Sequence, residues 1–284
     1  MIPLTNSDLK SIKSHKKLAY FLHCDKAKLK QLEDDSSYMP YTVEKTGRHI
    51  EVPNDELMVV LKLIEKALTT EELPQWLMSS KGKGIVKNAI FHYGHDLIVT
   101  KFDISKFYGS CKWKYIYHLF YDSDGYGMPK DIAKTLSNLV TYDGHLPTGS
   151  PASPLLAYLA YRKCFDEIYK LTKAHGFKMS LYVDDITLSY ADRTSITWIK
   201  KTIREILNNY GLDFNVDKTK TYDPSKAKNI TGIVLNPKKL YLTIANKSLL
   251  KLHDEQIKRS DKKPDVINGL KNYKKSVEKN KLPK

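Results

Sequence analysis

Between residues 96 and 222 the hydrophobic period switches repeatedly between two and 3.6, and the order of those switches constrains the fold more than any other feature. "DLIVTKFDISKF" has the β-branched and aromatic content of a strand. It puts Ile98, Phe102 and Ile104 on one face, with Val99, Lys101 and Asp103 on the other. After a Gly- and Pro-rich loop, "DGHLPTGSPASP", the stretch "LLAYLAYRKCFDEIYKLTKAHG" predicts one helix of about six turns that stops at Gly176. "KMSLYV" and "ITLSY" then read as a hairpin joined through Asp184 and Asp185. A helical stripe follows, from Ile196 through Ile199, Ile203, Ile206 and Leu207 to Tyr210, with Asp192 or Thr194 as its cap. "LDFNVDKTKTY" reads as the last strand. Strand, helix, strand, strand, helix, strand is the split βαβ, ferredoxin-like order, an α+β arrangement of an antiparallel sheet on two helices.

The chain is long enough for one large domain or a few subdomains: 284 residues, 41% of them hydrophobic. Its 47 Lys and Arg against 32 Asp and Glu leave a formal charge of +15, which favours a polyanionic partner over a merely solvated basic surface. Cys24, Cys111 and Cys164 are widely spaced, which suggests buried thiols rather than a zinc knuckle or a disulfide framework. No run of about 18 apolar residues and no charged-then-apolar leader is found, so a cytoplasmic protein without a membrane partner is expected. The basic end, "IKRSDKKPDVINGLKNYKKSVEKNKLPK", reads equally as a small helical appendage or a solvated tail.

"SLYVDDITLS" sets two like charges side by side. By strand alternation Leu181 and Val183 point one way, while Ser180, Tyr182 and Asp184 point to the other, open face. If the first strand is central, Asp103 stands beside them. Carboxylates on neighbouring strands repel unless a hard cation with oxygen ligands lies between them, and Mg²⁺ fits that need. A plain Asp-Asp turn is the competing reading. Asp103, the Gly- and Pro-rich loop and the basic excess together favour nucleotidyl transfer.

At these residues the chain resembles a reverse transcriptase. "YVDD" resembles that family's Y-x-D-D box, "KFDISKFYGS" its first catalytic aspartate segment, "LPTGSPASPLLAYL" the loop and helix after it, and "GLDFNVDKTKT" the segment beyond the catalytic hairpin. "NAIFH" (Asn88, Ala89, His92) and "NITGIVLN" (Thr231 and Gly232, with Ile230 in place of Val) are similar to elements of bacterial retron reverse transcriptases.

The resemblance implies a right-hand polymerase: an N-terminal region and fingers over 1–95, a palm with part of the fingers over 96–235, and a small helical thumb over 236–284. It implies two Mg²⁺ ions on Asp103 and Asp184, with Asp185 adding charge or coordinating less directly. Lys218 would stabilise or protonate pyrophosphate. Arg48 and Lys45 of "VEKTGRHIEVP" would hold the incoming deoxynucleoside triphosphate, and Tyr108 would gate its 2′-hydroxyl. Gly149 would allow close backbone approach to nucleotide and template, although Thr148 stands where the family most often has Gln. Asn88, His92, Thr231 and Gly232 would bind RNA. The implied template is a structured noncoding RNA, primed from an RNA 2′-hydroxyl to give branched RNA-linked DNA in antiphage defence, with a separate effector protein. Rival readings are a group II intron-like or CRISPR-associated reverse transcriptase, an RNA polymerase of similar palm, and a catalytically silent RNA-binding protein on the same fold.

Overall fold

The structure, a computed structural model, describes residues 8–44, 47–94, 96–192, 196–235, 240–242 and residue 272. Lys45, Thr194 and nearly all of the expected thumb over 236–284 lie outside the described residues. In chain order come α1 (His15–Phe21), α2 (Lys26–Leu32), β1 (Tyr38–Val43), β2 (Arg48–Pro53), α3 (Asp55–Leu68), α4 (Ile85–Phe91) and β3 (Ile98–Asp103). Then follow α5 (Phe107–Ser110), α6 (Trp113–Tyr121), α7 (Lys130–Val140), α8 (Ser153–Ala160), α9 (Arg162–Ala174), β4 (Lys178–Tyr182) and β5 (Asp185–Tyr190). The last are α10 (Ile196–Asn209), β6 (Lys220–Tyr222), β7 (Lys228–Ile230), β8 (Ile233–Leu235) and β9 (Leu240–Leu242). No helix among the described residues is long and apolar enough to cross a membrane. Cys111 and Cys164 are buried as expected, while Cys24 is only half-buried.

The chain divides into two compact units. One comprises the residues through Gln75, Ile104–Lys170 and Lys201–Phe214; the other comprises Trp76–Asp103, Leu171–Lys200 and the chain from Asn215 onward.

In the first unit β1 and β2 form an antiparallel ribbon from Tyr38↔Pro53 to Val43↔Arg48. Asn54 ends that ribbon and caps α3, its Oδ1 accepting from Leu57 N–H at 2.9 Å. Leu57, Leu61, Ile64 and Leu68 then recur at helical spacing and are fully buried. The single helix expected over 155–176 is two, α8 and α9, interrupted at Tyr161. The Tyr161 hydroxyl accepts from Lys112 N–H at 3.0 Å and donates to Ser110 O at 3.1 Å, so a buried side chain fixes the point where the helix changes course. Those two bonds join segments about fifty residues apart, out of reach of periodicity.

The second unit holds a four-stranded antiparallel sheet in the order β4-β5-β3-β6. The first strand is central, with the hairpin on one side and the last strand on the other, as the split βαβ order requires. Met179, Leu181, Ile186, Leu188, Ile98 and Phe102 fill one face and are buried. The opposite face is covered at its inner end: α4 and the ribbon of β7 and β8 lay Val86, Ala89, Ile230, Ile233 and Leu235 against Val99. The last strand is shorter than expected, only Lys220–Tyr222, because Asn215 Oδ1 accepts from the N–H groups of Asp217 (3.0 Å) and Lys218 (3.3 Å). This side-chain turn lifts residues 216–219 out of the sheet, while Asn215 N–H still donates to Asp103 O at 2.8 Å. Phe214 keeps an isolated bridge to Ile104 in the first unit.

Candidate active site

The site begins with register. Asp103, the last residue of β3, lies directly across from Asp185, the first of β5, and Tyr182 of β4 lies across from Asp185. Antiparallel partners have Cα atoms about 4.5–5.5 Å apart, so a change of rotamer brings the two carboxylates together. This revises the expected facing: Asp185, rather than Asp184, shares the row with Asp103. Asp184 stands in the two-residue turn, and Ser180, expected on an open face, is fully buried. Val183, the other turn residue, has φ +57°, a left-handed conformation that a β-branched residue adopts only under constraint.

Two lysines answer the acids. Lys218 Nζ lies 3.1 Å from Asp103 Oδ2, and Lys101 Nζ lies 3.4 Å from Asp185 Oδ2. Lys218 arrives through the Asn215 turn; Lys101 stands two residues before Asp103 on the same face of β3, opposite Lys220. Together Lys101, Asp103, Asp185, Lys218, Lys220 and Tyr222 line much of an open cleft of about 320 Å³. Lys101 and Lys220 were not singled out from sequence. The signal for Lys101 was the period-two spacing from Asp103; for Lys220 it lay in a cross-strand pairing that sequence does not reveal.

The electrostatics describe a site short of positive charge. Burial, then the neighbouring Asp185 and Asp103, push the Asp184 carboxyl up to about 6, against the pull of Lys218. Asp185 is also raised, by burial above all, even with Lys101 beside it. Among the described residues no three His, Cys, Asp or Glu side chains are gathered to hold a metal ion. The ion pairs give a physical reason, since they turn Asp103 and Asp185 toward lysines. The donor set nonetheless fits a hard divalent cation: oxygen ligands only, two of them in one cross-strand row, and a third whose charge lacks compensation.

The remaining sites fall in different places. Arg48 opens β2 and is exposed, and Tyr108 is half-buried in α5, its ring 5.6 Å from that of Phe107. The close approach at Gly149 is to β2 itself: its N–H donates to Glu51 O at 3.1 Å, and a Cβ there would lie 2.5 Å from that oxygen. Thr148 N–H donates to the Glu51 carboxylate at 2.9 Å. The buried Glu51, unremarked in the sequence, thus holds the Gly- and Pro-rich loop.

Asn88 and His92 are fully buried, and every polar side-chain atom of either has a protein partner. The His92 ring is bonded to Ser180 of β4 and Ser189 of β5, and the Asn88 amide to Ser180 and Thr231, so neither side chain presents a polar atom to solvent. Thr231 (φ +46°) and Gly232 (φ +87°) form the two-residue turn between β7 and β8, consistent with a type I′ hairpin. Asn88 Nδ2 donates to Thr231 Oγ1 at 3.3 Å, and Asn229 Oδ1 accepts from Gly232 N–H at 3.2 Å, so two asparagines hold that turn.

Comparison with known proteins follows the same strands. The chain is 30% identical over 215 residues to the Retron Ec86 reverse transcriptase of Escherichia coli, covering 72% of this chain and 65% of that one. It is 27% identical over 209 residues to the Retron Se72 reverse transcriptase of Salmonella heidelberg (strain 579083-10), covering 69% and 54%. With the Retron Mx162 reverse transcriptase of Myxococcus xanthus it shares 24% over 242 residues, covering 73% and 49%. The chain therefore spans about half to two thirds of the length of these curated relatives. A solved foamy viral protease-reverse transcriptase in complex with double-stranded DNA aligns with TM-score 0.46 and 16% identity over 82% of this chain and 35% of that one, a likeness too distant to inform the site. Residues 43–235, which include all three acids and the sheet that carries them, match the reverse transcriptase (RNA-dependent DNA polymerase) family: the chain belongs to that family.

Proposed function

We propose that the chain is an RNA-directed DNA polymerase whose reaction centre is the row Asp103 and Asp185 with Asp184 beside it. The observation that carries the reading is the register of β3 on β5, which sets two carboxylates side by side at a strand end with a third in the adjoining turn. Two Mg²⁺ ions bound there would supply the charge that activates a primer hydroxyl and stabilises leaving pyrophosphate. Asp103, Asp184 and Asp185 would hold them, the two outer acids leaving their lysines to do so. Lys218, on a largely exposed side chain beside Asp103, would then meet the departing phosphates and give up a proton from Nζ. Lys101 and Lys220 would raise the local concentration of triphosphate. Arg48 and Lys45 would grip its phosphates with Arg48 as a planar fork, and Tyr108 would exclude the ribose 2′-hydroxyl.

Similarity to retron enzymes from three bacteria supports a finer reading, in which the template is a structured noncoding RNA primed from its own 2′-hydroxyl. Fingers, palm and thumb over 1–95, 96–235 and 236–284 belong to the same proposal, as does a separate effector protein in antiphage defence. The test is extension of a primed RNA template with deoxynucleotides, wild type against Asp103→Asn, followed by RNase digestion of the nucleic acid that copurifies. Extension that depends on Asp103, with a discrete RNA-linked single-stranded DNA, is expected. Full extension by Asp103→Asn would overturn the catalytic assignment, and the absence of a discrete DNA would remove the retron reading alone.

A further inference from the structure

The bonds around Asn88 and His92 form one continuous, directional chain. Ser180 Oγ–H donates to Asn88 Oδ1 at 2.7 Å, and Asn88 Nδ2–H donates to Thr231 Oγ1. A serine has one hydroxyl proton. Ser180 spends it on Asn88, so against His92 Nε2, 2.7 Å away, it must accept. His92 therefore carries its proton on Nε2. Burial, with Lys178 nearby, holds the imidazole well down, to about 3, so the ring is neutral at any working pH and Nδ1 is a bare acceptor. Ser189 Oγ–H completes the chain by donating to Nδ1 at 2.9 Å. Four hydrogen bonds thus run from β5 through His92, β4 and Asn88 to the turn between β7 and β8.

The two serines sit on the two arms of the catalytic hairpin. Ser180 lies two residues before Tyr182, whose partner is Asp185, and it pairs across with Thr187, which pairs with Lys101. Ser180 and Ser189 therefore lie on the face of the sheet that carries Asp103 and Asp185, one and two rows inward from the acids. A neutral imidazole gripping both arms fixes their separation and twist there. Apolar side chains could fill the volume but would not select one geometry; a fully satisfied buried polar chain does. The two-residue loop closed by Tyr182 and Asp185 imposes the positive φ of Val183, so the geometry of this unfavourable turn follows from how firmly the two arms are held together.

We propose that His92 and Asn88 are positioning residues for the catalytic hairpin, acting through Ser189 and Ser180 on the acids at its tip, rather than contacts to RNA. The proposal rests on the polymerase reading above. Its test separates turnover from RNA affinity. His92→Leu keeps the bulk and removes both ring bonds; at saturating primed RNA it should lower kcat about 10²-fold, the scale at which small misplacements act. The Kd for that RNA should stay within about twofold of wild type, since the side chain has no accessible surface. His92→Gln, which retains one donor and one acceptor, should recover part of the loss. Should His92→Leu fail to fold, Ser189→Ala removes only the terminal bond and should still cost several-fold in kcat at an unchanged KM for deoxynucleotide. Nitrogen-15 spectra of histidine-labelled protein should show a resonance protonated at Nε2 that does not titrate above about pH 4. A weaker RNA Kd with unchanged kcat in these variants, or a His92 proton on Nδ1, would overturn the proposal. A wild-type chain that extends no primer would sink the polymerase reading instead, and the nitrogen spectra would still decide whether the bonded chain exists.

Discussion

Asp184 is the side chain on which the chemistry of the hairpin and its stability pull in opposite directions. Its carboxyl, held up to about 6 against an ordinary 3.8, keeps a proton in the folded chain that the unfolded chain releases. Stability tied to it is therefore full below about pH 4 and is lost as pH rises through about 6; above that the ionised group costs about 2 kcal/mol, allowing for its partial exposure. Asp184→Asn should raise the thermal midpoint at about pH 8 and leave it unchanged near pH 4, as scanning calorimetry would read. Millimolar Mg²⁺ at about pH 8 should raise the midpoint of the wild type and do little for the variant. Equal midpoints for the two proteins at both pH values would show that the carboxylate is not short of positive charge. Lys218 is the second residue-scale case. Its Nζ is 3.1 Å from Asp103. If that group protonates the leaving phosphate, Lys218→Gln should slow single-nucleotide addition about 10²-fold, while Lys218→Arg, which keeps the charge, should slow it less. Identical rates for Lys218→Gln and wild type would return this lysine to the solvated surface.

At the scale of elements, sequence conveyed the order of strands and helices because each has its own period, and it conveyed the hairpin because two short apolar runs flank two acids. It could not convey which acid faces Asp103. That depends on the turn being two residues long, so that Tyr182 pairs with Asp185, and register of that kind is set by loop length rather than by residue type. The breaks at Tyr161 and Asn215 were hidden for a related reason, since each is made by one side chain bonding to distant or local backbone that no periodicity reports. The bonded surroundings of His92 were equally hidden, because its partners, Ser180 and Ser189, are 88 and 97 residues away. The turn residue Val183 carries a prediction of its own: Val183→Gly relieves strain of about 1 kcal/mol and should stabilise the fold, yet lower kcat by loosening the acids. Gly149→Ala should destabilise the fold instead. Its Cβ would meet the Glu51 carbonyl at 2.5 Å and Val52 Cα at 3.0 Å, so β2 or the loop must move, at a cost of about 1–3 kcal/mol in unfolding free energy, read from a denaturant titration. Gly109→Ala, with nothing within 4 Å and an ordinary φ, is the matched control and should be neutral or slightly stabilising.

For the whole molecule, charge is the quantity that local geometry does not supply. A formal +15 spread over 284 residues favours association with polyanions irrespective of their sequence, and the cleft beside the acids is one place where that charge gathers. Three lysines line that cleft, but they are not equivalent. Lys101 and Lys218 are each tied to a carboxylate, so a phosphate that approaches them must compete with Asp185 or Asp103. Lys220 is exposed and stands across from Lys101 on the same row, which leaves it the better placed of the three to meet a backbone phosphate. Binding of a primed RNA should weaken steeply with salt, by about 10³ or more between about 50 and 200 mM if six or more phosphates are neutralised. Lys220→Ala should reduce the slope of log K against log salt by close to one and weaken all RNA sequences alike, whereas Lys101→Ala should change the slope less and kcat more, because the charge it removes serves Asp185. Filter binding across a salt series, with two unrelated RNA sequences, reads both. If Lys101→Ala flattened the slope as much as Lys220→Ala did, the ion pair to Asp185 would be a contact that RNA readily displaces, and the division of the cleft into a catalytic and a phosphate-gripping lysine would fail.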